Sequence, residues 1–456
     1  MSLIVAGERS GVGKTTVTLA LLSALQQQSQ RVQSFKVGPD YIDPMFHHYV
    51  TGRSCRNLDP VLTSEAYVQQ CFALHTKDAE YALIEGVMGL FDGATGTDDF
   101  ASTAHIARLL NLPVLLILNC SSLSRSIAAI AHGYSTFDPR IQIAGVVLNR
   151  VGSDRHLELL TDALKPLNLP ILGVLRRQDD IVIPDRHLGL IPTAELTDLK
   201  ALLDRLAHLG KTCFDWSKLL PLLAPSPSPP CSSPVFPSLS STPRLAIARD
   251  SAFSFYYADN LDLLQQLGAE LVDWSPLRDA ALPEGVQGLY FGGGFPEVFA
   301  SELAENRPAR DAVQAAIRGG MPTYAECGGL MYLCEQIVDF DGRSHPMTGI
   351  LPTTATMGKR LTLGYRQATA LQNSPMVKVG DRLWGHEFHR SIVPEPEQPL
   401  FALQGYQTRL PLAPEGWQRY QVHASYTHLH FGAQPELPSR FLQHCIMREG
   451  RSNDRL

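Results

Sequence analysis

The sequence is poor in charge and has no excess of basic residues. Asp, Glu, Lys and Arg make up 18% of its 456 residues and the formal net charge is -6, so nothing points to a nucleic-acid partner. A polyanionic small molecule would have to be held by a local basic patch that net charge hides. Long apolar runs are missing as well. Stretches such as 112–118 are far too short to span a bilayer, and the N-terminus lacks the basic segment of a signal peptide. The expectation is a soluble, cytoplasmic protein. None of the eight cysteines forms a CxxC pair, which leaves zinc and dithiol redox motifs unsupported. In a chain of this size they read as free thiols of a reducing compartment. Nothing in the sequence specifies an oligomer.

The chain is too long for one hydrophobic core and about right for two or three. Its first half alternates apolar runs at 2–7, 32–37, 81–86, 114–119, 143–149 and 171–175 with amphipathic stretches at 14–27, 102–110 and 155–164. Buried strands alternating with helices predict a mostly parallel sheet covered on both faces. Residues 221–243 are rich in proline and serine and read as a linker. Alternation then resumes, with strands at 244–248, 288–291 and 322–325 and helices at 258–267 and 328–334. The expected architecture is α/β throughout. Residues 1–220 form a P-loop-type domain, 221–243 a linker, and 244–456 a second α/β domain.

The first predicted strand ends in Gly7-Glu8-Arg9-Ser10-Gly11-Val12-Gly13-Lys14-Thr15-Thr16, and a helix follows. Glycines such as Gly11 and Gly13 let backbone N–H groups curl around phosphate, and a helix start adds partial positive charge. Lys14 can reach the β and γ phosphates, and the Thr15 hydroxyl suits Mg²⁺. The first glycine lies one residue further from Gly13-Lys14 than G-x-x-x-x-G-K-T requires, so the loop is a variant. Lys36, Asp40 and Asp43 follow a second strand, Glu85 ends a third, and Asp92 comes shortly after it. Ligands gather at the carboxyl ends of parallel strands. Asp40 and Glu85 are therefore candidate metal ligands with Thr15. Asp43 and Asp92 are candidates for the metal or the acceptor substrate, and Lys36 is a candidate for substrate binding and activation. Asn149, at the end of another strand, either reads an adenine edge or closes a turn.

The second half contains Glu326-Cys327-Gly328-Gly329 between a strand and a helix. Small residues after a nucleophile permit the strained turn that lifts it from the sheet, and the helix start favours thiolate. Upstream, Gly292-Gly293-Gly294 offers backbone N–H groups suited to an oxyanion hole, with Gly293 and Gly294 the candidate donors. Near the end, Ser425-Tyr426-Thr427-His428-Leu429-His430 supplies a base. Cys334 and Cys445 fit a packed core better than a reactive role.

Together these segments resemble the cobyrinic acid a,c-diamide synthases and their relatives acting on hydrogenobyrinic acid or nickel-sirohydrochlorin. The matching runs include Ser10 to Thr16, Lys36 to Pro44, Glu85 to Gly93, Gly145 to Arg150, Pro184 to Leu190, Gly292 to Glu297, Glu326 to Gly329 and Ser425 to His428. The loop spacing is similar to that of dethiobiotin synthetases. The resemblance implies a glutamine-hydrolysing ligase whose substrates are ATP, L-glutamine and a corrinoid acid, with Mg²⁺ as cofactor. It implies that ATP phosphorylates a side-chain carboxylate, Cys327 attacks the glutamine amide, and His428 is the catalytic histidine. Many glutamine amidotransferases carry a glutamate two residues after that histidine; here the place holds His430. A substrate with several carboxylates calls for cationic partners. Candidates are Arg186 and His187, with Arg360, Arg366, His386 and His389 also available.

Overall fold

The computed structural model describes residues 2–28, 30–177, 183–187, 189–196, 198–224, 239, 241–407 and 410–453. The chain divides into two compact units, 1–233 and 234–456. Most of the expected linker, including 225–238, lies outside the described residues.

In the first unit seven strands form one sheet: β1 (Leu3–Gly7), β2 (Val32–Val37), β3 (Arg56–Leu58), β4 (Tyr81–Glu85), β5 (Val114–Asn119), β6 (Ile143–Val151) and β7 (Ile171–Arg176). Their order is β3-β2-β4-β1-β5-β6-β7, and every pairing is parallel. Parallel strands buried on both faces read as continuous apolar runs, which is why this sheet was visible in the sequence. The helices on its faces are α1 (Lys14–Gln26), α2 (Ile42–Thr51), α3 (Glu65–Thr76), α4 (Thr103–Leu110), α5 (Ser126–Thr136), α6 (Asp154–Leu164), α7 (Leu199–Thr212) and α8 (Trp216–Leu223). Helix α2 is not among the expected elements. Its Pro44 falls in the first turn, where a missing N–H costs nothing. Helix α8 runs through Pro221 to Leu223, past the expected start of the linker; buried Leu219 and Leu223 hold it in place. A short ribbon, β8 (Asp185–Arg186) with β9 (Gly189–Leu190), follows β7. β1 is central, with β4 and β5 on either side, so the chain leaving it opens at the switch point of the sheet.

The second unit has two sheets. One contains β10 (Arg244–Ala248), β11 (Glu270–Trp274), β12 (Gly288–Phe291) and β13 (Thr323–Glu326). The other is built mainly from β14 (Cys334–Val338), β15 (Ser344–Pro346), β16 (Leu351–Ala370), β17 (Arg382–Ile392) and β18 (Phe401–Gly405). β19 (Trp417–Arg419) and β20 (Val422–Ser425) return to the first sheet, and β21 (His428–Leu429) joins the second. The orders are β11-β10-β12-β13-β20-β19 and β15-β14-β16-β17-β21, with β18 beside β16. The largely antiparallel second sheet, with its long β16–β17 hairpin, was not anticipated. Both strands mix buried and exposed positions without clean alternation, and a bulge interrupts their register between Met357 and Thr362. Helices α9 (Ala258–Gln266), α10 (Ala300–Glu305), α11 (Arg307–Arg318), α12 (Gly328–Leu333) and α13 (Glu436–Asn453) complete the unit. Among the described residues no helix is long and apolar enough to cross a membrane.

Candidate active sites

In the first unit the site grows from strand register. Lys36 on β2 is the lateral partner of Glu85 on β4, so both side chains arrive at the carboxyl edge of the sheet beside the loop after β1. Lys36 Nζ donates to Glu85 Oε1 at 2.9 Å and to Asp43 Oδ2 at 2.5 Å. Thr15 Oγ1, in the first turn of α1, donates to the same Glu85 oxygen at 2.7 Å and lies 3.4 Å from Asp43 Oδ2. Four predicted residues thus converge: Thr15, Lys36, Asp43 and Glu85.

Asp40 has a different task. Its Oδ1 accepts the Ile42 and Asp43 N–H groups and starts α2, so Asp43 is the carboxylate beside Thr15. Burial and the neighbouring Asp40 raise the Asp43 carboxyl to about 8, against the pull of Lys36. Burial alone would also raise Glu85, but Lys36 and His47 outweigh it and hold this carboxyl below its usual range. His47 was missed in the sequence. Its Nε2 lies 2.8 Å from Glu85 Oε2, and its Nδ1 lies 3.3 Å from Cys55 Sγ. The available signal was its place four residues after Asp43, one helical turn along the same face.

Lys14 Nζ crosses the loop to the carbonyls of Met88, at 2.5 Å, and Arg9, at 3.3 Å. Burial and the nearby Lys36 ammonium lower its pKa to about 8. Gly11 and Gly13 have φ of 75° and 99°, so the loop needs the left-handed conformation there. Thr16 follows Thr15 in α1, partly buried. Asn149 Nδ2 donates to Val12 O at 2.8 Å, and a Cβ on Gly13 would come within 2.5 Å of that nitrogen. Asn149 therefore braces the loop. Asp92 Oδ2 accepts the Gly89 N–H at 2.8 Å, near enough for its charge to act on Lys14. Arg186 makes a two-pronged pair with Glu195 at 3.1 and 2.8 Å, and His187 follows β8. The oxygens of Thr15, Asp43 and Glu85 form a hard-donor set that fits Mg²⁺.

In the second unit Cys327 sits between β13 and α12 with φ 47° and ψ -96°, a strained conformation for a residue with a Cβ. Its N–H donates to Ser425 O on β20 at 2.8 Å. The glycine loop packs between the elbow and the histidine. A Cβ on Gly293 would lie 2.5 Å from His428 Cε1, and one on Gly328 would lie 3.1 Å from the Gly294 nitrogen. The expected nucleophile, oxyanion loop and base thus meet in one place. Burial, with Glu297 and Glu326 adding to it, pushes the Cys327 thiol far above its ordinary value. Burial, with His386 and His389 nearby, pushes His428 down to about 3. The resting pair is therefore a thiol and a neutral imidazole, which carries hydrogen on one ring nitrogen and can accept a proton on the other.

Around this pair lie residues that had been expected to bind an acceptor acid. Arg366 donates to Glu387 at 2.5 Å, His386 pairs laterally with His428, and the His389 ring stacks on Tyr426 at 3.8 Å. His386 and His389 are both 7% exposed, so they line the thiol site and present no open surface. Arg360 is exposed on β16.

Residues 3–191 match the CobQ/CobB/MinD/ParA nucleotide binding domain, and residues 244–436 match the CobB/CobQ-like glutamine amidotransferase domain. The chain is 64% identical to a cobyrinate a,c-diamide synthase of Synechococcus sp., over 98% of each chain. The chain belongs to the cobyrinate a,c-diamide synthase family. A second relative of that name, from Synechocystis sp., is 53% identical over 98% of this chain and 94% of its own. A hydrogenobyrinate a,c-diamide synthase of Streptomyces coelicolor is 42% identical over 97% of each.

Proposed function

We propose that this chain amidates the a and c side-chain carboxylates of cobyrinate, using ATP to activate each carboxylate and glutamine as the nitrogen donor. The observation that carries the reading is that one chain holds both halves of the chemistry. The Thr15–Lys36–Asp43–Glu85 cluster stands at a phosphate loop, and the Cys327 elbow stands beside a glycine loop and His428. Relatives named for cobyrinate at 64% and 53% identity support that acceptor over hydrogenobyrinate.

A carboxylate is a poor electrophile. Its oxygen attacks the γ-phosphorus, ADP leaves, and the acyl phosphate then yields to ammonia with loss of phosphate. Lys14 and Lys36 neutralise charge at the loop. Thr15, Glu85 and Asp43 would hold Mg²⁺, with Asp40 at the edge of the cluster; bound there, the ion supplies charge neutralisation at the phosphate oxygens. In the second unit His428 takes the Cys327 proton, and the sulfur attacks the glutamine amide carbon. Ammonia leaves with that proton, and water hydrolyses the glutamyl thioester. Every described cysteine is a free thiol, which fits a reducing cytoplasm.

The test supplies cobyrinate, hydrogenobyrinate and nickel-sirohydrochlorin separately with ATP and glutamine and weighs the products. Cobyrinate should lose mass twice, each time by the difference between hydroxyl and amino. No mass change with any acid would overturn the reading. In Cys327→Ala, glutamine-driven amidation should vanish while ammonia-driven amidation persists.

A further inference from the structure

We propose that Glu326, the residue immediately before the nucleophile, positions His428 and completes the thiol site; this rests on the glutaminase reading above. The place where many amidotransferases keep a carboxylate, two residues beyond the histidine, holds His430, and that side chain is turned to other work. Its Nδ1 accepts the Gly432 N–H at 3.1 Å, its ring lies 4.9 Å from that of Tyr257, and its Nε2 is 3.7 Å from Asp259 Oδ2 on α9.

Glu326 reaches the histidine from the other direction. Its Oε2 stands 3.9 Å from His428 Nδ1, and both side chains are 1% exposed. Its Oε1 accepts the Leu429 N–H at 2.9 Å, so the carboxylate before the thiol grips the backbone just after the base. The Tyr324 and Tyr290 hydroxyls also donate to it and fix its plane. The strand geometry makes this possible. Glu326 is the last residue of β13 and Cys327 forms the strained turn that follows it, so one short segment supplies both the support and the nucleophile.

The 3.9 Å separation is too long for a hydrogen bond in the resting state. It becomes an ion pair when the imidazole takes the Cys327 proton on Nε2 and both ring nitrogens carry hydrogen. The proton then passes from Nε2 to the departing ammonia; Glu326, whose carboxyl burial raises to about 7, acts in its ionised form and takes no proton in the transfer. Glu326 is thus a positioning residue. It sets which nitrogen of His428 is free and stabilises the cation that forms there.

The experiment is Glu326→Gln. The amide oxygen can still accept from Leu429, so the backbone grip is kept and the charge is removed. The kcat for glutamine hydrolysis should fall about 100-fold or more, with KM for glutamine within about threefold and ammonia-driven amidation retained. Glu326→Asp should recover part of the lost kcat. A kcat for the Gln variant within about threefold of the parent overturns the proposal. Cys327→Ala run alongside separates the two ideas: hydrolysis surviving that change sinks the glutaminase reading itself. Histidine-selective nitrogen NMR of the parent protein does not depend on any variant folding. A neutral His428 with its hydrogen on Nδ1 is expected, and one with its hydrogen on Nε2 overturns the proposal.

Discussion

Lys36 and Glu85 face each other in register on adjacent parallel strands, with the ammonium 2.9 Å from a carboxylate that is wholly out of water. Lys36 also donates to Asp43, whose carboxyl burial raises to about 8, so Glu85 is the fully charged partner of the ammonium. Removing one partner of a buried pair leaves the other charge uncompensated and costs about 3–5 kcal/mol. Lys36→Met should therefore lower the thermal transition of the first unit and reduce ATP-dependent amidation to background. Glutamine hydrolysis at Cys327 should survive. Calorimetry and the two activity assays read these effects separately.

Gly293 offers a sharper test of the thiol site. A methyl group there would sit 2.5 Å from His428 Cε1 and 3.3 Å from the Phe255 Cβ. The first distance is well inside van der Waals contact, and the imidazole lies in packed surroundings with little room to retreat. Gly293→Ala should displace the base and cut glutamine hydrolysis about 100-fold, the scale on which proton transfer by a positioned histidine contributes. Ammonia-driven amidation should hold near the parent rate. Equal loss of both would mean that the substitution unfolds more than the site.

The parts of both sites that sit on glycine-rich turns were legible in the sequence, because a turn of unusual conformation demands a particular residue type at a particular spacing. Lys14, Thr15 and Cys327 are of this kind. The residues behind them were not. His47 matters only because Glu85, 38 positions later, comes to lie 2.8 Å away. Glu326 belongs to a recognisable motif, yet its role depends on Leu429 and His428, about a hundred residues downstream. Asp40 and Asp43 were both visible, and their roles turned on where α2 begins: a start at Ile42 leaves Asp40 just before the helix, accepting its first N–H groups, and sends Asp43 to Thr15. The parallel sheets could be read from continuous apolar runs. The β16–β17 hairpin could not, since its buried positions do not alternate cleanly.

His423 provides a pH test away from the thiol. It is fully buried on β20, with Nδ1 2.8 Å from Ser374 Oγ. Burial pushes this imidazole down to about 3 from an ordinary 6.5. Below pH 6.5 the unfolded chain takes up a proton that the folded chain refuses. The native state therefore loses stability as pH falls from 6.5 towards 3, by at most about 1.4 kcal/mol per pH unit. Glu326 and Glu415, which burial raises to about 7, act with the opposite sign: they weaken the fold as pH rises from 4.5 through 7. The comparison must therefore be made by difference. His423→Phe, packed among Tyr324 and Phe401, should gain on the parent steadily as pH is lowered below 6.5 and run parallel to it above. Denaturant titrations across that range measure the gap.

Asn149 separates a brace from a base reader. Its Nδ2 hydrogen bond to Val12 O is 2.8 Å long and nearly out of water, and its Oδ1 accepts the Arg150 N–H, also at 2.8 Å. With both ends of the amide engaged by backbone, the side chain fixes the loop that Gly13 and Lys14 complete. Losing one such bond costs about 1–1.5 kcal/mol, so Asn149→Ala should raise KM for ATP about tenfold. A brace acts on the phosphates, which every nucleoside triphosphate shares. The ratio of kcat/KM for ATP over GTP should therefore stay as in the parent. An adenine reader acts on the base, and its removal would collapse that ratio while leaving GTP turnover untouched. Parallel kinetics with the two nucleotides decide between the roles, and the pair of backbone contacts favours an unchanged ratio.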